Sequence, residues 1–223
     1  MYTYLLIDLG AFVIPFVFSF HKRLKFYKHF FSLFIACFIV AVPFIIWDVI
    51  FTEYGIWSFN SDYLIGLEFF GLPLEEYLFF ICIPFACVFT YYTLELLPIR
   101  EIFFSKLFSI LLAVFLMILA CVYFERLYTS VTFSALSLFL IISCNWNKLT
   151  RFYRSFIVLL IPFCIVNGVL TGSFIDEEVV WYNDNFNLNL RLYTIPVEDI
   201  FYSMLMQLPT IIIFEKLRSF RSM

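Results

Sequence analysis

The sequence predicts an all-α polytopic membrane protein, with seven transmembrane helices arranged as two parallel three-helix repeats joined by a linker helix. Three observations predict this fold. Of the 223 residues, 64% are hydrophobic and only 14% are charged, whereas soluble domains carry about 25% charged residues. Seven apolar stretches are long enough to cross a bilayer. Motifs of the first half of the chain also recur in the second half.

The seven predicted helices follow one another along the chain. Their apolar stretches are residues 2–20, 30–51, 73–97, 107–123, 127–144, 155–172 and 195–215. Each has the length needed to cross about 30 Å of hydrocarbon. The boundary between the fourth and fifth stretches depends on Glu125, Arg126 and a few neighbours. An odd number of spans places the two termini on opposite sides of the membrane.

The basic residues predict the orientation, because cytoplasmic loops accumulate Lys and Arg. With the N-terminus outside, Arg126 and Arg191 face outward and the other 12 of the 14 basic residues face the cytoplasm. These twelve are Lys22, Arg23, Lys25, Lys28, Arg100, Lys106, Lys148, Arg151, Arg154, Lys216, Arg218 and Arg221. We therefore expect a multi-pass protein of the cell (cytoplasmic) membrane with a cytoplasmic C-terminus. No cleavable signal peptide is expected, since the first apolar stretch lacks a basic leader and a small-residue cleavage site.

An internal repeat relates the two halves of the chain. The matches at a shift of 123 positions are Phe59-Asn60 with Tyr182-Asn183, Pro73–Glu76 with Pro196–Asp199, and Phe79 with Tyr202. The repeat predicts a first three-helix unit at residues 1–98, a linker helix at 99–126 and a second unit at 127–223. Because both copies cross the membrane in the same direction, a pseudo-twofold axis along the membrane normal relates them.

This symmetry predicts that polar residues of the two halves meet at one depth. Both acidic motifs begin a helix at the outer face, where the preceding helices end. The residues expected to converge on one pocket are Asp48, Glu75, Glu76, Asn167, Glu198 and Asp199. The two outer loops, residues 52–72 and 173–194, are aromatic-rich. Their rings either form a lid over this pocket or lie in the headgroup zone that Tyr and Trp prefer.

An acid beside an aromatic ring is the pairing needed to form a carbocation and stabilise it. Phe79 follows Glu75 by four residues, and Tyr202 follows Glu198 by four, so each ring is expected on the face of its acid. A carboxylic acid can protonate an alkene, and a ring face stabilises the cation. The alternative is structural, because proline and acids at a helix start also complement its exposed N–H groups and dipole.

The sequence lacks the motifs of nucleotide-binding and metal sites. The six glycines never form the dinucleotide-binding pattern, so we expect no nucleotide or flavin cofactor. The six cysteines form no CxxC pair and both histidines lie in the first basic loop, so no metal site is expected. We also expect no nucleic-acid partner.

Four segments together resemble the membrane-integral lycopene cyclases, which occur as paired subunits in some bacteria and as fused chains in bacteria, archaea and fungi. They are WDVIFTEYGIWSFN at 47–60, FFGLPLEEYLFF at 69–80, NGVLTG at 167–172 and TIPVEDIFY at 194–202. The resemblance implies cofactor-independent acid/base cyclisation of the ends of lycopene to β-rings, giving γ-carotene and β-carotene. It implies a lipophilic carotenoid substrate, contact with membrane lipid, and other carotenoid-pathway enzymes as partners.

The resemblance also implies roles for particular residues. Glu75, Glu76, Glu198 and Asp199 match the acids of the family's motifs and are the candidate catalytic residues. The candidate substrate-binding residues are Asp48, Asn60, Phe79, Asn167, Asn183 and Tyr202. Spacing alone does not decide which carboxyl is the acid and which is the base.

Other functions remain open at this stage. A hydratase would let water trap the same cation, and a cyclase could instead form ε or γ rings. A small-solute transporter is also built as three plus one plus three helices. A retinal receptor needs a mid-helix lysine, whereas Lys216 lies at the end of the last span.

Overall fold

The computed structural model describes residues 2–97 and 105–220, and seven α-helices account for most of them. They are α1 (Thr3–Phe18), α2 (Phe30–Glu53), α3 (Leu74–Glu95), α4 (Ser105–Val122), α5 (Leu127–Ser143), α6 (Leu149–Leu170) and α7 (Val197–Phe220). The predicted all-α membrane fold is confirmed. So is the break between the fourth and fifth helices, because α4 ends at Val122 and α5 begins at Leu127.

The helices have the length and composition of membrane spans. Within the described residues, α2, α3, α4, α6 and α7 are each long and apolar enough to cross a bilayer. The helices α1 and α5 are apolar but shorter, at 16 and 17 residues. The orientation remains a prediction, and two of the basic residues used for it, Arg100 and Arg221, lie outside the described residues.

Helix packing is reciprocal between the halves. In the first half α1 packs on α3, and in the second half α5 packs on α7. Across the halves, α2 packs on α7 and α6 packs on α3. The linker helix α4 packs mainly on α5, so only the second half is covered on that side. The repeat boundaries at residues 98 and 126 stay a prediction, the first of them lying outside the described residues.

The outer loops carry three short antiparallel strand pairs. Strand β1 (Trp57–Phe59) pairs with β4 (Val180–Tyr182) across the halves, β2 (Glu68–Phe69) with β3 (Leu72–Pro73), and β5 (Arg191–Leu192) with β6 (Ile195–Pro196). A shift of 123 positions converts β1 into β4 and the β2–β3 hairpin into the β5–β6 hairpin. The loops therefore follow the same repeat as the helices.

The strand pair β1–β4 closes the outer end of the bundle. The Asn60 N–H donates to the Val179 carbonyl and the Asn183 N–H to the Ile56 carbonyl, each at 2.9 Å. Trp57 is buried beneath the loops, as a lid requires. Trp181 and Tyr54 are exposed, as expected for rings at the headgroup level. Burial therefore favours the lid for Trp57, and exposure favours the headgroup zone for Trp181 and Tyr54.

Candidate active site

A cavity of about 540 Å³ lies between α1, α3, α6 and α7, within the range typical of small-molecule sites. Most of its lining is apolar, including Ile83 and Phe163. Leu6, Ile14 and Ile165 also line it, and these three side chains are themselves exposed. The cavity therefore reaches the lipid-facing surface between α1 and α6.

The outer end of this cavity is polar. Asp48 at the end of α2, Glu76 in the first turn of α3 and Asp199 in the first turn of α7 all line it. Asn167 near the end of α6 lines it as well. Acidic residues of the two halves thus meet in one apolar cavity. Ionisable side chains inside membrane helices are rare and are by default candidates for a functional site.

The two carboxyls of the first half form a pair. Asp48 and Glu76 are both buried and both line the same end of the cavity, and Asp48 Oδ2 has no other hydrogen-bond partner. Two carboxyl groups share a hydrogen bond only when one of them carries a proton. The Tyr4 hydroxyl on α1 donates a further hydrogen bond to Glu76 Oε2. A proton on either carboxyl would therefore let this buried pair form a hydrogen bond.

The carboxyl of the second half has different partners. Asp199 Oδ1 accepts from the Tyr128 hydroxyl at 2.6 Å, and Oδ2 accepts from Asn167 Nδ2 at 2.7 Å and from the Tyr182 hydroxyl at 3.1 Å. Burial, followed by the nearby Asp199 charge, raises the pKa of the Tyr182 phenol in the outer loop well above its usual range. The phenol therefore remains a donor. Three donors on two oxygens are the partners of an ionised carboxylate.

The carboxyls of the two halves have different partners largely because the first half has an Asp where the second has an Asn. Asp48 in the first half and Asn167 in the second occupy similar places at the ends of α2 and α6. The Asp48 carboxyl can share a proton with Glu76, whereas the Asn167 amide donates an N–H to Asp199. The two halves of a nearly symmetric site therefore give their carboxyls different partners, a second carboxyl in the first half and three donors in the second.

The structure places Glu75 and Glu198 away from the cavity. Both are fully buried, and neither lines the cavity. Glu75 Oε1 accepts from the Ile65 N–H at 2.6 Å, and Glu198 Oε1 accepts from the Leu188 N–H at 2.7 Å. These two bonds are related by the shift of 123 positions. The expectation that both glutamates converge on the pocket is corrected: they tie each outer loop to the helix that follows it.

The predicted pairing of Phe79 with Glu75 and of Tyr202 with Glu198 is also corrected, because neither glutamate lines the cavity. Phe79 and Tyr202 line the cavity together with Glu76 and Asp199, which precede them by three residues rather than four. Spacings of three and four both share a helix face, so the sequence alone did not separate the two acids of each motif. Trp57 adds a third ring, with its centroid 6.4 Å from that of Tyr202.

Asn60 and Asn183 shape the outer loops instead of lining the cavity. Asn60 Oδ1 accepts from the Asp62 N–H at 3.0 Å, and Asn183 Oδ1 accepts from the Asn185 N–H at 3.1 Å. Such bonds to the backbone two residues on form Asx turns, which Asn favours. Their predicted place in the substrate pocket is corrected to a structural position in the paired loops.

Comparison with protein-family models shows the family to which the chain belongs. A family model described as lycopene cyclase matches residues 1–94 and 125–217, which is most of the chain. The chain belongs to the lycopene cyclase family. No curated protein and no solved structure matches it. The segments that match the lycopene cyclase family leave out residues 95–124, which include α4, the helix without a counterpart in the repeat.

Sequence reasoning missed two tyrosines of this candidate site. Tyr4 and Tyr128 donate to Glu76 and Asp199 from the starts of α1 and α5. Each is the fourth residue of its matched segment, so extending the repeat to the first helix of each half would have found them. Asp8, one turn after Tyr4, was also missed. It is fully buried and neither of its carboxyl oxygens has a hydrogen-bond partner.

Proposed function

We propose that this member of the lycopene cyclase family is a lycopene β-cyclase, which converts the acyclic ends of lycopene to β-rings and yields γ-carotene and β-carotene. One observation carries the proposal. Carboxyl groups of both halves meet at one end of an apolar cavity that reaches the lipid phase. A carotenoid dissolved in the bilayer can enter this cavity sideways, with its end group against the acids and its polyene chain along the apolar walls.

The Asp48–Glu76 pair is the proposed proton donor. The shared proton is transferred to the terminal carbon–carbon double bond of the substrate, and a new C–H bond and a tertiary carbocation result. The neighbouring double bond of the substrate then attacks this cation, which closes a six-membered ring and moves the positive charge to a ring carbon. The donor pair is left with one proton fewer.

Aromatic rings and the absence of water protect the cation. Trp57, Phe79 and Tyr202 line the end of the cavity where the charge develops. A desolvated cation over an aromatic face gains about 2 kcal/mol or more. Water would trap the cation as an alcohol, and the paired loops above Trp57 exclude it from the outer side.

Asp199 is the proposed base. As an ionised carboxylate at the same end of the cavity, it removes a proton from the carbon next to the cation, and the C–H electrons form the ring double bond. The substrate gains one proton and loses another, so the reaction is a redox-neutral isomerisation. The site is reset when a proton returns from Asp199 to the Asp48–Glu76 pair. The carbon that faces Asp199 decides between β, γ and ε rings.

The function is tested by expressing the full chain in a host that accumulates lycopene and analysing the carotenoids by chromatography and mass spectrometry. We expect the host to form γ-carotene and β-carotene, the products that carry β-rings. A matched control is Asp176→Asn, which neutralises an exposed acid of the outer loop. Open-chain lycopene only, hydrated products, or ε- or γ-rings, from protein that is present in the membrane, would contradict the proposal.

The proposal includes a topology. With the N-terminus outside, the acid cluster lies at the outer end of the helices in the cell membrane, and the carotenoid-pathway enzymes that deliver substrate act through the bilayer. A reporter fused after the C-terminus should be active only when it is cytoplasmic. A periplasmic or external signal from that fusion would reverse the orientation and leave the chemistry unchanged.

A further inference from the structure

A second cavity, of about 610 Å³, lies at the end of the bundle opposite the acid cluster. It is formed where α2 and α6 begin and α7 ends. Its lining is polar, in contrast to the apolar walls of the candidate active site. Nothing in the proposed cyclisation uses it.

The cavity is positively charged. Lys28, Lys148 and Arg218 line it together with one carboxylate, Glu215. With His29 neutral, these lining residues carry a net formal charge of +2, and the adjacent Glu95 is balanced by its ion pair with Arg151. A concave surface with this charge attracts anions.

Ion pairs hold two of these cations in place. The buried Glu215 carboxyl accepts from Lys148 Nζ and, at 3.4 Å, from Arg218 Nη1. Arg218 is fixed further by Glu95 at 2.7 Å and by the Tyr92 ring, 5.1 Å from its guanidinium carbon. Each cation has more N–H groups than these bonds use. The site is therefore ordered before any anion arrives.

Two helix starts add to the positive potential. His29 immediately precedes α2 and Lys148 immediately precedes α6, and both residues line the cavity. Neither side chain caps the helix that it precedes. The N-terminal end of a helix carries a partial positive charge and favours anions. Both helices are longer than twenty residues, so two such ends reinforce the three cationic side chains.

We propose that this cavity binds a phosphate group, supplied by the headgroup of an anionic phospholipid. Phosphate has several charged oxygens, which match a set of Lys and Arg donors better than a single carboxylate does. The cavity lies at the ends of membrane-spanning helices, where phospholipid headgroups lie.

The test uses the full chain purified in detergent and native mass spectrometry, with phosphatidylglycerol and phosphatidylcholine present in equal amounts. The informative variant is Lys28→Gln, because this exposed side chain can change without breaking the Glu215 ion pairs. The matched control is Lys216→Gln, which removes the same charge from an exposed position on α7 that does not line the cavity. We expect Lys28→Gln to lower the preference for phosphatidylglycerol about fivefold, and the control to leave it unchanged.

A second measurement separates the lipid from free phosphate. Thermal unfolding is recorded in a zwitterionic detergent with inorganic phosphate, with chloride at equal ionic strength, and with phosphatidylglycerol. Stabilisation by phosphatidylglycerol that Lys28→Gln reduces supports the lipid site, and stabilisation by inorganic phosphate alone overturns the headgroup as its source. Equal retention of the two lipids, or equal losses in both variants, would overturn the proposed site altogether.

Discussion

The two neighbouring glutamates of the first motif should respond very differently to the same substitution. Glu76→Gln removes one member of the proposed proton donor, and general acid catalysis contributes about 10²–10⁴ to a rate. Because Asp48 remains as an alternative acid, we expect a loss near the lower end, about 10²-fold. In Glu75→Gln the amide oxygen can still accept from the Ile65 N–H. The amide nitrogen replaces Glu75 Oε2, which has no hydrogen-bond partner, so an unpaired buried donor should cost about 1 kcal/mol of stability.

The assay for this pair is cyclic carotenoid formed per amount of membrane-inserted protein, in a host that accumulates lycopene. Normalising to protein separates catalysis from stability, since Glu75→Gln is expected to lower the amount of protein more than its specific activity. The reasoning is refuted if Glu76→Gln retains full specific activity while Glu75→Gln, present at normal levels, loses it.

Three further predictions concern other parts of the structure. Asn167→Asp replaces a donor to Asp199 by a second carboxyl, so specific activity should fall at least about tenfold; unchanged product formation would contradict Asp199 as the base. Gly172→Ala places a Cβ 2.8 Å from Glu178 Cγ at a φ of +98° and should cost about 1–3 kcal/mol, seen as a lower unfolding temperature; no shift would show that the loop relaxes. Asp8→Leu removes a buried, unpartnered carboxyl and should raise the unfolding temperature by the equivalent of about 1–3 kcal/mol; a decrease would reveal a partner for Asp8.

The helices and the repeat could be predicted because both depend on short stretches of sequence. Hydrophobic length located all seven helices, including the short break between Val122 and Leu127. The shift of 123 positions was read from two motifs. It also relates the β2–β3 hairpin to β5–β6 and the loop bond of Glu75 to that of Glu198. Residues at equivalent repeat positions have similar surroundings. The repeat therefore also predicts contacts outside the two motifs from which it was recognised.

The inner arrangement of the site was harder to predict. A rotation of one residue on α3 decides whether Glu75 or Glu76 faces the cavity, and helical spacing allows both. Tyr4 reaches Glu76 across 72 positions of sequence, a contact that only the packing of α1 on α3 produces. Asn60 sits in a matched motif, yet the match reflects a loop turn that both halves need.

The lateral opening of the first cavity bears on how a substrate with two identical ends is processed. Within the described part of the chain, the acids of both halves line one cavity. Under the proposed function, a molecule with one ring must withdraw into the bilayer, reverse its direction and return before the second ring can form. The ratio of monocyclic to bicyclic pigment in the membrane would then measure how often the intermediate finds its way back.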